Sequence, residues 1–360
     1  MSKIIVNTGT LWAGGAERVL SILSKPFADA FEDVYYVMWL DNKYPDIFYD
    51  IDERVKVIRV SQESGSIGLW RQLLWYRKYV KNEKPDLVLS FMTSIILIVT
   101  LSLFGLKIPQ IVAERNDPRY TSNKWIRQII NMLYFMPSIK GIIMQSEWNK
   151  SYFSNKFLLR KTSIIPNPIE MSADLVGTAR LSNKNNVVVS VGRLTDQKQH
   201  TTLLKAFELF HKHHPDYSLI IYGDGKNREL LEREADNLGL RGCINLPGRV
   251  SNVLSHILSA RMFVMTSKYE GMSNALVEAM SVGLPCISTK VSGATDLIKD
   301  GENGYLVDVG DVYTISEKMC VIAENESLRN TLAANASLVY RKLEKNTIGN
   351  QWVDYLKKNS

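Results

Sequence analysis

Thirteen short apolar runs, almost none of them alternating polar with apolar residues, set the tightest limit on what this chain can fold into. A strand with one wet face alternates, whereas a strand covered on both faces does not. The first seven runs are 3-KIIVN-7, 34-VYYVMWL-40, 55-VKVIRV-60, 86-DLVLSF-91, 110-QIVAE-114, 141-GIIMQS-146 and 162-TSIIPN-167. Between most of them lie helix-length segments such as 16-AERVLSILSKPFADA-30. The pattern then restarts with 187-VVVSVG-192, 218-SLIIYG-223, 242-GCINLPG-248, 261-RMFVMT-266, 285-PCISTK-290 and 304-GYLVDV-309, after a polar, turn-rich linker over 166–186. It predicts an α/β protein of two doubly wound domains, 1–166 and 167–345, facing each other across a cleft at the carboxyl ends of their strands. The amphipathic tail 346–360 is expected to pack back on the first domain.

Composition fits this layout. The 360 residues, 45% hydrophobic and 22% charged, suit a folded globular chain and neither a collagen-like nor a disordered one. Cys243, Cys286 and Cys320 are odd in number and far apart, against a disulfide framework or thiolate metal site and in keeping with a reducing cytosol. The start, MSKIIVNTGT, has too short an apolar run for a signal peptide. The run 91-FMTSIILIVTLSLFGL-106 is 16 residues long and interrupted by Thr93, Ser94, Thr100 and Ser102. It falls short of a span and predicts a buried helix behind a strand, capped by Thr93 or Ser94. The expected location is cytoplasmic, with peripheral contact on the inner face of the plasma membrane. The net charge of +7 lies wholly in the first half, where residues 1–166 hold 22 Lys+Arg against 15 Asp+Glu. An anionic partner explains the excess, and so does a mildly basic surface without one.

Four strand-to-helix junctions could carry chemistry. In 9-GTLWAGGAERVL-20, Gly14 and Gly15 precede a helix, so free amides could meet an anion, although a tight turn explains the pair equally well. In 190-SVGRLTDQKQHTTLL-204, Arg193 and Lys198 leave a strand as cations suited to a diphosphate, or as ordinary solvated side chains. In 267-SKYEGMSNALVEAMSVGLP-285, Ser273 or Asn274 caps a helix, with Glu270 in the loop before it and Glu278 about one turn inside. The amides of Gly271, Met272, Ser273 and Asn274 surround that helix start, where phosphate or sugar hydroxyls can dock. The bland alternatives are a macrodipole partner for Glu278 and an exposed loop carboxylate for Glu270. In 112-VAERNDPRY-120, Glu114, Arg115 and Asn116 would face the cleft from the other side.

Other catalysts are disfavoured. All five histidines lie at or beyond position 200, so the first domain has no histidine base. The cluster 211-HKHHP-215 stands at a helix end, where histidines are favourable without a metal. The pair 50-DID-52 sits in a loop and is a poor magnesium site. No basic helix face with interleaved stacking aromatics points to nucleic acid.

Together these segments resemble the GT-B-fold retaining glycosyltransferases of family four. The likeness rests on GGAERV at 14–19, ERNDP at 114–118, PNP at 166–168, VGRLTDQK at 191–198, the E-x7-E signature at 270–278 and GATDLIKDGENGYLV at 293–307. The resemblance implies two Rossmann-like domains in a GT-B architecture, and a nucleotide-diphosphate-sugar donor, UDP by preference, held mainly by the second. Arg193 and Lys198 would hold the diphosphate and stabilise the leaving nucleotide, Glu270 would bind donor-sugar hydroxyls, and Glu278 the ribose. Gly14, Gly15 and the amides of 271–274 would contact phosphate and sugar, while Arg249 and Val250 would read the base through their backbone. Glu17, Glu114, Arg115 and Asn116 would lie on the acceptor side. Eight helical residues span about 12 Å, against the roughly 5–5.5 Å of a retaining hydrolase pair, so the two carboxylates read as separate clamps. The expected mechanism is same-face attack by the acceptor hydroxyl, its proton passing to the departing phosphate, with no metal or other cofactor. Some relatives carry a histidine where Glu114, Arg115 and Asn116 stand here, and Asp296 replaces a more usual Glu.

For the acceptor, the basic first half and the segment 123-NKWIRQIINMLYFM-136, with Lys124 and Arg127 among Trp125, Ile126, Ile129, Ile130, Leu133 and Phe135, suit a helix on an anionic membrane surface. A core-facing amphipathic helix fits as well. The expected acceptor is a saccharide on a lipid pyrophosphate, in capsule, exopolysaccharide or O-antigen assembly. The rivals are a GT-B-fold epimerase or phosphorylase, and an inactive sugar-nucleotide-binding subunit.

Overall fold

In the computed structural model, which describes residues 2–120, 123–180, 185–250 and 252–360, each set of apolar runs forms one sheet. The first consists of β1 (Lys3–Thr8), β2 (Asp33–Met38), β3 (Lys56–Arg59), β4 (Leu87–Phe91), β5 (Gln110–Ala113), β6 (Ile139–Met144) and β7 (Thr162–Ile164). Its order is β3-β2-β1-β4-β5-β6-β7 and every pair is parallel. The second consists of β8 (Val187–Val191), β9 (Ser218–Tyr222), β10 (Ile244–Gly248), β11 (Met262–Met265), β12 (Cys286–Thr289) and β13 (Tyr305–Val307). Its order is β10-β9-β8-β11-β12-β13, again all parallel. Strand order reverses between β1 and β4 in one sheet and between β8 and β11 in the other. Connections leave to opposite sides there, which opens a crevice at the strands' carboxyl ends.

The helices around these points are α1 (Gly15–Ala30), α2 (Leu69–Glu83), α3 (Thr93–Ser102), α4 (Lys124–Leu133), α5 (His200–His211), α6 (Asn274–Ser281), α7 (Val312–Glu324) and α8 (Lys345–Asn359). The chain divides into two compact units, Met1–Glu170 with Leu343–Ser360, and Met171–Lys342. The boundary thus lies four residues beyond the expected 166, because Ile169 N bonds Leu343 O at 2.7 Å where the chain leaves and re-enters the first unit. From Met171 on, the chain docks on the second unit, with Gly177 N bonding Ser281 O and Ala179 N bonding Val282 O. Of the expected linker, 181–184 lie outside the described residues. α8 rests on α1, its buried Trp352 stacked on Phe91 at 5.5 Å and edge-on to Phe27. In the second unit α5 and α7 pack side by side, burying Leu203, Phe207 and Phe210 against Ile315, Met319 and Ile322.

Segment 91–106 forms α3 behind β4, with Ile95, Ile96, Val99, Thr100 and Ser102 buried, and no helix among the described residues is long and apolar enough to cross a membrane. Its cap differs from expectation. Met92, not Thr93 or Ser94, is the N-cap, at a φ of 70° that costs a non-glycine residue about 1–3 kcal/mol. Met92 N bonds Ala113 O at 3.1 Å, and the Thr93 hydroxyl, the would-be cap, donates instead to Glu114 at 2.7 Å.

Candidate functional site

β8 and β11 are neighbours, so the loops that leave them, 192–199 and 266–273, meet. Lys268 N donates to Gln197 O at 2.7 Å, and Gln197 Nε2 donates to Tyr269 O at 2.9 Å. The Thr266 hydroxyl lies within 3.0 and 3.1 Å of the carbonyls of Lys198 and Gln199. From the next strand the Thr289 hydroxyl holds Ser267 O at 2.7 Å, and Ser292 holds Gly271 O at 2.8 Å. At Gly293, with φ +75°, a Cβ would come within 2.7 Å of Gly271 O. At Gly223, with φ +141°, it would come within 1.9 Å of Gly192 O. Both loops therefore lean on backbone where no side chain fits.

This scaffold brings Lys198 and Glu270 into contact. Lys198 Nζ donates to Glu270 Oε1 at 2.5 Å, and Ser267 Oγ donates to the same oxygen at 2.8 Å. Glu270 is only 7% exposed, yet Oε2 receives no hydrogen bond from any described residue, and Lys198 Nζ makes none besides this one. A nearly buried ion pair with polar capacity left over on both sides is costly unless something else completes it. Arg193 stands exposed on the same loop, beside the buried anchor Leu194.

Ser273 caps α6, its hydroxyl accepting from Leu276 N at 3.4 Å. Gly271 and Met272 are buried before it, Asn274 is half-buried at the first helical position, and Glu278 lies buried in the second turn. Arg249, exposed, and Val250, half-buried, follow β10 at the far edge of the sheet. Sequence patterns missed Gln197, Thr266, Thr289 and Ser292, which are common polar residues at strand ends or in the loops that follow them. They also missed His200, buried at the start of α5 with Nδ1 lacking a hydrogen-bond partner among the described residues. Burial, aided by the Lys198 charge, pushes its imidazole down to about 3, so it is neutral at pH 7.

In the first unit Gly14 caps α1 through its backbone, with no side-chain cap, and Gly15 is exposed. Glu17 accepts from the Thr10 hydroxyl at 2.9 Å, and a Cβ on Gly14 would collide with its carboxylate. Glu114, just past β5, is wholly buried. Its Oε1 takes Arg127 Nη1 at 2.5 Å and the Tyr134 hydroxyl, and its Oε2 takes Thr93. Arg127 also donates to Asn131 at 3.0 Å. Burial disfavours its charge, but Glu114 and Tyr134 more than offset this and raise its pKa. Arg127 is therefore an inward anchor, not a surface cation of the 123–136 helix. Arg115 is buried over the Phe91 ring at 5.2 Å and bonds Asn167, with Nε and Nη1 unpartnered among the described residues; burial pushes its guanidinium down to about 9. Asn116 beside it is exposed.

The sequence pattern of the glycosyl transferases group 1 family matches residues 177–339, almost the whole second unit. The chain is 27% identical over 361 aligned positions to a Campylobacter jejuni α-1,4-N-acetyl-D-galactosaminyltransferase named for an undecaprenol-diphosphate-linked saccharide, covering 98% of each chain. It is 26% identical to the amylovoran biosynthesis glycosyltransferase AmsD of Erwinia amylovora, covering 92% of this chain and 93% of that one. Anabaena HepE, solved in complex with UDP and glucose, superposes with a TM-score of 0.81 over 99% of this chain and all of the other. At 19% identity that likeness speaks for the fold. Two parallel, doubly wound sheets in this order give the chain the GT-B fold, and the second unit carries the group 1 glycosyl transferase pattern over residues 177–339.

Proposed function

We propose that the chain is a retaining, metal-independent glycosyltransferase. It moves a hexose or N-acetylhexosamine from a UDP-sugar to a lipid-pyrophosphate-linked saccharide in bacterial surface polysaccharide assembly. The observation that carries this is the Lys198–Glu270 pair, half-satisfied at the switch point of the second sheet, with the exposed Arg193 on the same loop. A sugar diphosphate offers what each partner lacks, phosphate oxygens for the ammonium and hydroxyl donors for Glu270 Oε2. Glu278 serves the ribose, Arg249 and Val250 the base, and Gly14 and Gly15 the phosphate side. In the reaction the acceptor hydroxyl oxygen bonds to the anomeric carbon on the face from which the diphosphate leaves. The bond from that carbon to the β-phosphate oxygen breaks, and the hydroxyl proton passes to the departing phosphate. Arg193 and Lys198 stabilise the charge that develops there. On the acceptor side Glu17, Arg115 and Asn116 are the contacts, and Glu114 shapes their loop from beneath.

The name of the Campylobacter relative supports a lipid-linked acceptor, and the surface of the first unit supports a membrane-bound one. α3 packs between α2 and α4, and these helices leave large apolar side chains in solvent. Trp70 is 80% exposed and Trp125 75%, with Leu74, Phe104, Ile129, Met132 and Phe135 also exposed. α4 turns its arginine inward and its apolar residues outward, the reverse of an ordinary surface helix. Residues 65–161 hold 15 Lys+Arg against 5 Asp+Glu, while 1–64 hold 7 against 10, so the basic excess coincides with this apolar face. An anionic leaflet at the cytoplasmic side matches both features.

The test is a panel of nucleotide sugars, with and without lipid-pyrophosphate saccharides, reading nucleotide release and the anomer formed, in buffer with and without chelator. Acceptor-dependent release with retained configuration and no chelator effect is expected. An epimer of the donor formed without acceptor, an inverted anomer or a strict metal requirement would sink the proposal. Flotation with anionic vesicles, lost in W70E/W125E, checks the membrane face. Equal turnover of a soluble acceptor by protein that ignores such vesicles would remove that part.

A further inference from the structure

At the opposite end of α5 from the Lys198 loop, three side chains of different chemistry converge. α5 is 12 residues long, about 18 Å, so this place is separate from the site above and rests on no part of its reading. His214 follows the helix, its backbone N bonding Phe210 O at 3.1 Å. Its ring stacks on Phe210 at 4.7 Å and meets Tyr217 edge-on at 5.8 Å, so its orientation is fixed by packing. Cys320 and Glu324 stand one turn apart on α7, which packs along α5, and so share one face of that helix. His214 Nε2 is 3.2 Å from Glu324 Oε1, and one imidazole nitrogen of His214, Cys320 Sγ and one carboxylate oxygen of Glu324 all lie within 4.8 Å of one another. The Nε2 to Oε1 approach lacks hydrogen-bond alignment, which leaves the buried Nε2 without a hydrogen-bond partner among the described residues.

From this geometry we propose that His214, Cys320 and Glu324 form a binding site for a borderline-soft divalent cation, with zinc as the best match. One imidazole nitrogen, one thiolate and one carboxylate oxygen form a mixed donor set that zinc accepts, with water at a fourth position. Tetrahedral ligands at zinc bond lengths stand roughly 3.3–3.6 Å apart, so side-chain adjustment alone closes the trio onto an ion. Binding replaces the Cys320 thiol proton, which is released to solvent, and Nε2 gives its lone pair to the metal. The ion then ties the end of α5 to the end of α7, a structural staple remote from the sugar chemistry. From sequence alone the histidines of 211-HKHHP-215 fit a helix terminus; Cys320 and Glu324, more than a hundred residues later, change their chemistry.

Cobalt(II) is the probe, titrated into the full-length wild-type protein. A saturable thiolate-to-cobalt charge-transfer band, displaced by zinc, is expected. Zinc at about a hundredfold over its Kd should raise Tm by roughly 5–10 °C. C320S should abolish both the band and the shift, H214Q should weaken cobalt at least about tenfold, and C243S should change neither. Absence of the band in the wild type, its persistence in C320S, or binding that never saturates would overturn the proposal. Because the readout is spectroscopic, a negative result leaves the glycosyltransferase reading untouched.

Discussion

Glu114 and Glu270 invite comparison. Each stands just past the carboxyl end of a parallel strand, and each takes a cation at 2.5 Å. Around Glu114 every demand is met from within: Arg127 and Tyr134 on one oxygen, Thr93 on the other, and Asn131 behind the guanidinium. Around Glu270, Lys198 and Ser267 crowd one oxygen and leave the other bare among the described residues. A saturated buried pair has nothing left to offer a ligand and everything to lose if broken. A half-saturated one gains from a ligand what the protein withholds. Similar sequence context, a carboxylate after a strand, thus yields a saturated brace in one unit and a half-satisfied ion pair in the other.

The largest expected effect falls on the brace. Arg127→Leu should cost about 3–5 kcal/mol of first-unit stability by stranding a buried carboxylate. Thermal unfolding would show it as a drop of roughly 10 °C, while transfer by the protein that remains folded persists. If R127L stayed as stable as wild type and lost transfer, the comparison would be inverted. Next, Lys198→Ala should lower transfer about 10²–10³-fold with little change in Tm. A variant that unfolds early yet turns over normally would make this pair the structural one. Smallest is an acid effect confined to the second unit, since the first has no histidine. Unfolded His200 takes a proton below about 6.5, and folded His200 only below about 3. Its contribution is therefore fully present above pH 6.5 and lost as pH falls towards 3. Between pH 7 and 5 the second unit should lose ~2 kcal/mol, a loss that His200→Gln removes. Denaturant titrations at the two pH values, followed by a second-unit probe, decide it.

Much of the architecture was legible because burial on both faces leaves a continuous apolar run in the chain. All thirteen such runs became strands, and Ser273 caps α6 as its place before the apolar periodicity suggests. For the candidate site, the loops were legible in the sequence and their wiring was not. Thr93 looked like a helix cap because hydroxyls commonly cap, yet a buried Glu114 oxygen competes harder for its proton. Arg127 looked like a surface cation because charge usually faces water, yet a buried carboxylate draws it inward.

What the sequence determined by itself was therefore local and periodic: strand, helix, turn and the residue types waiting at each strand end. The tertiary structure alone decided which polar atoms finish satisfied. Lys198 and Glu270 are 72 residues apart, Arg127 and Glu114 are 13 apart, and His214 meets Glu324 from beyond the end of α5. Hydrogen-bond capacity is a property of neighbours in space. No spacing along the chain reports whether an oxygen's second lone pair has already been claimed.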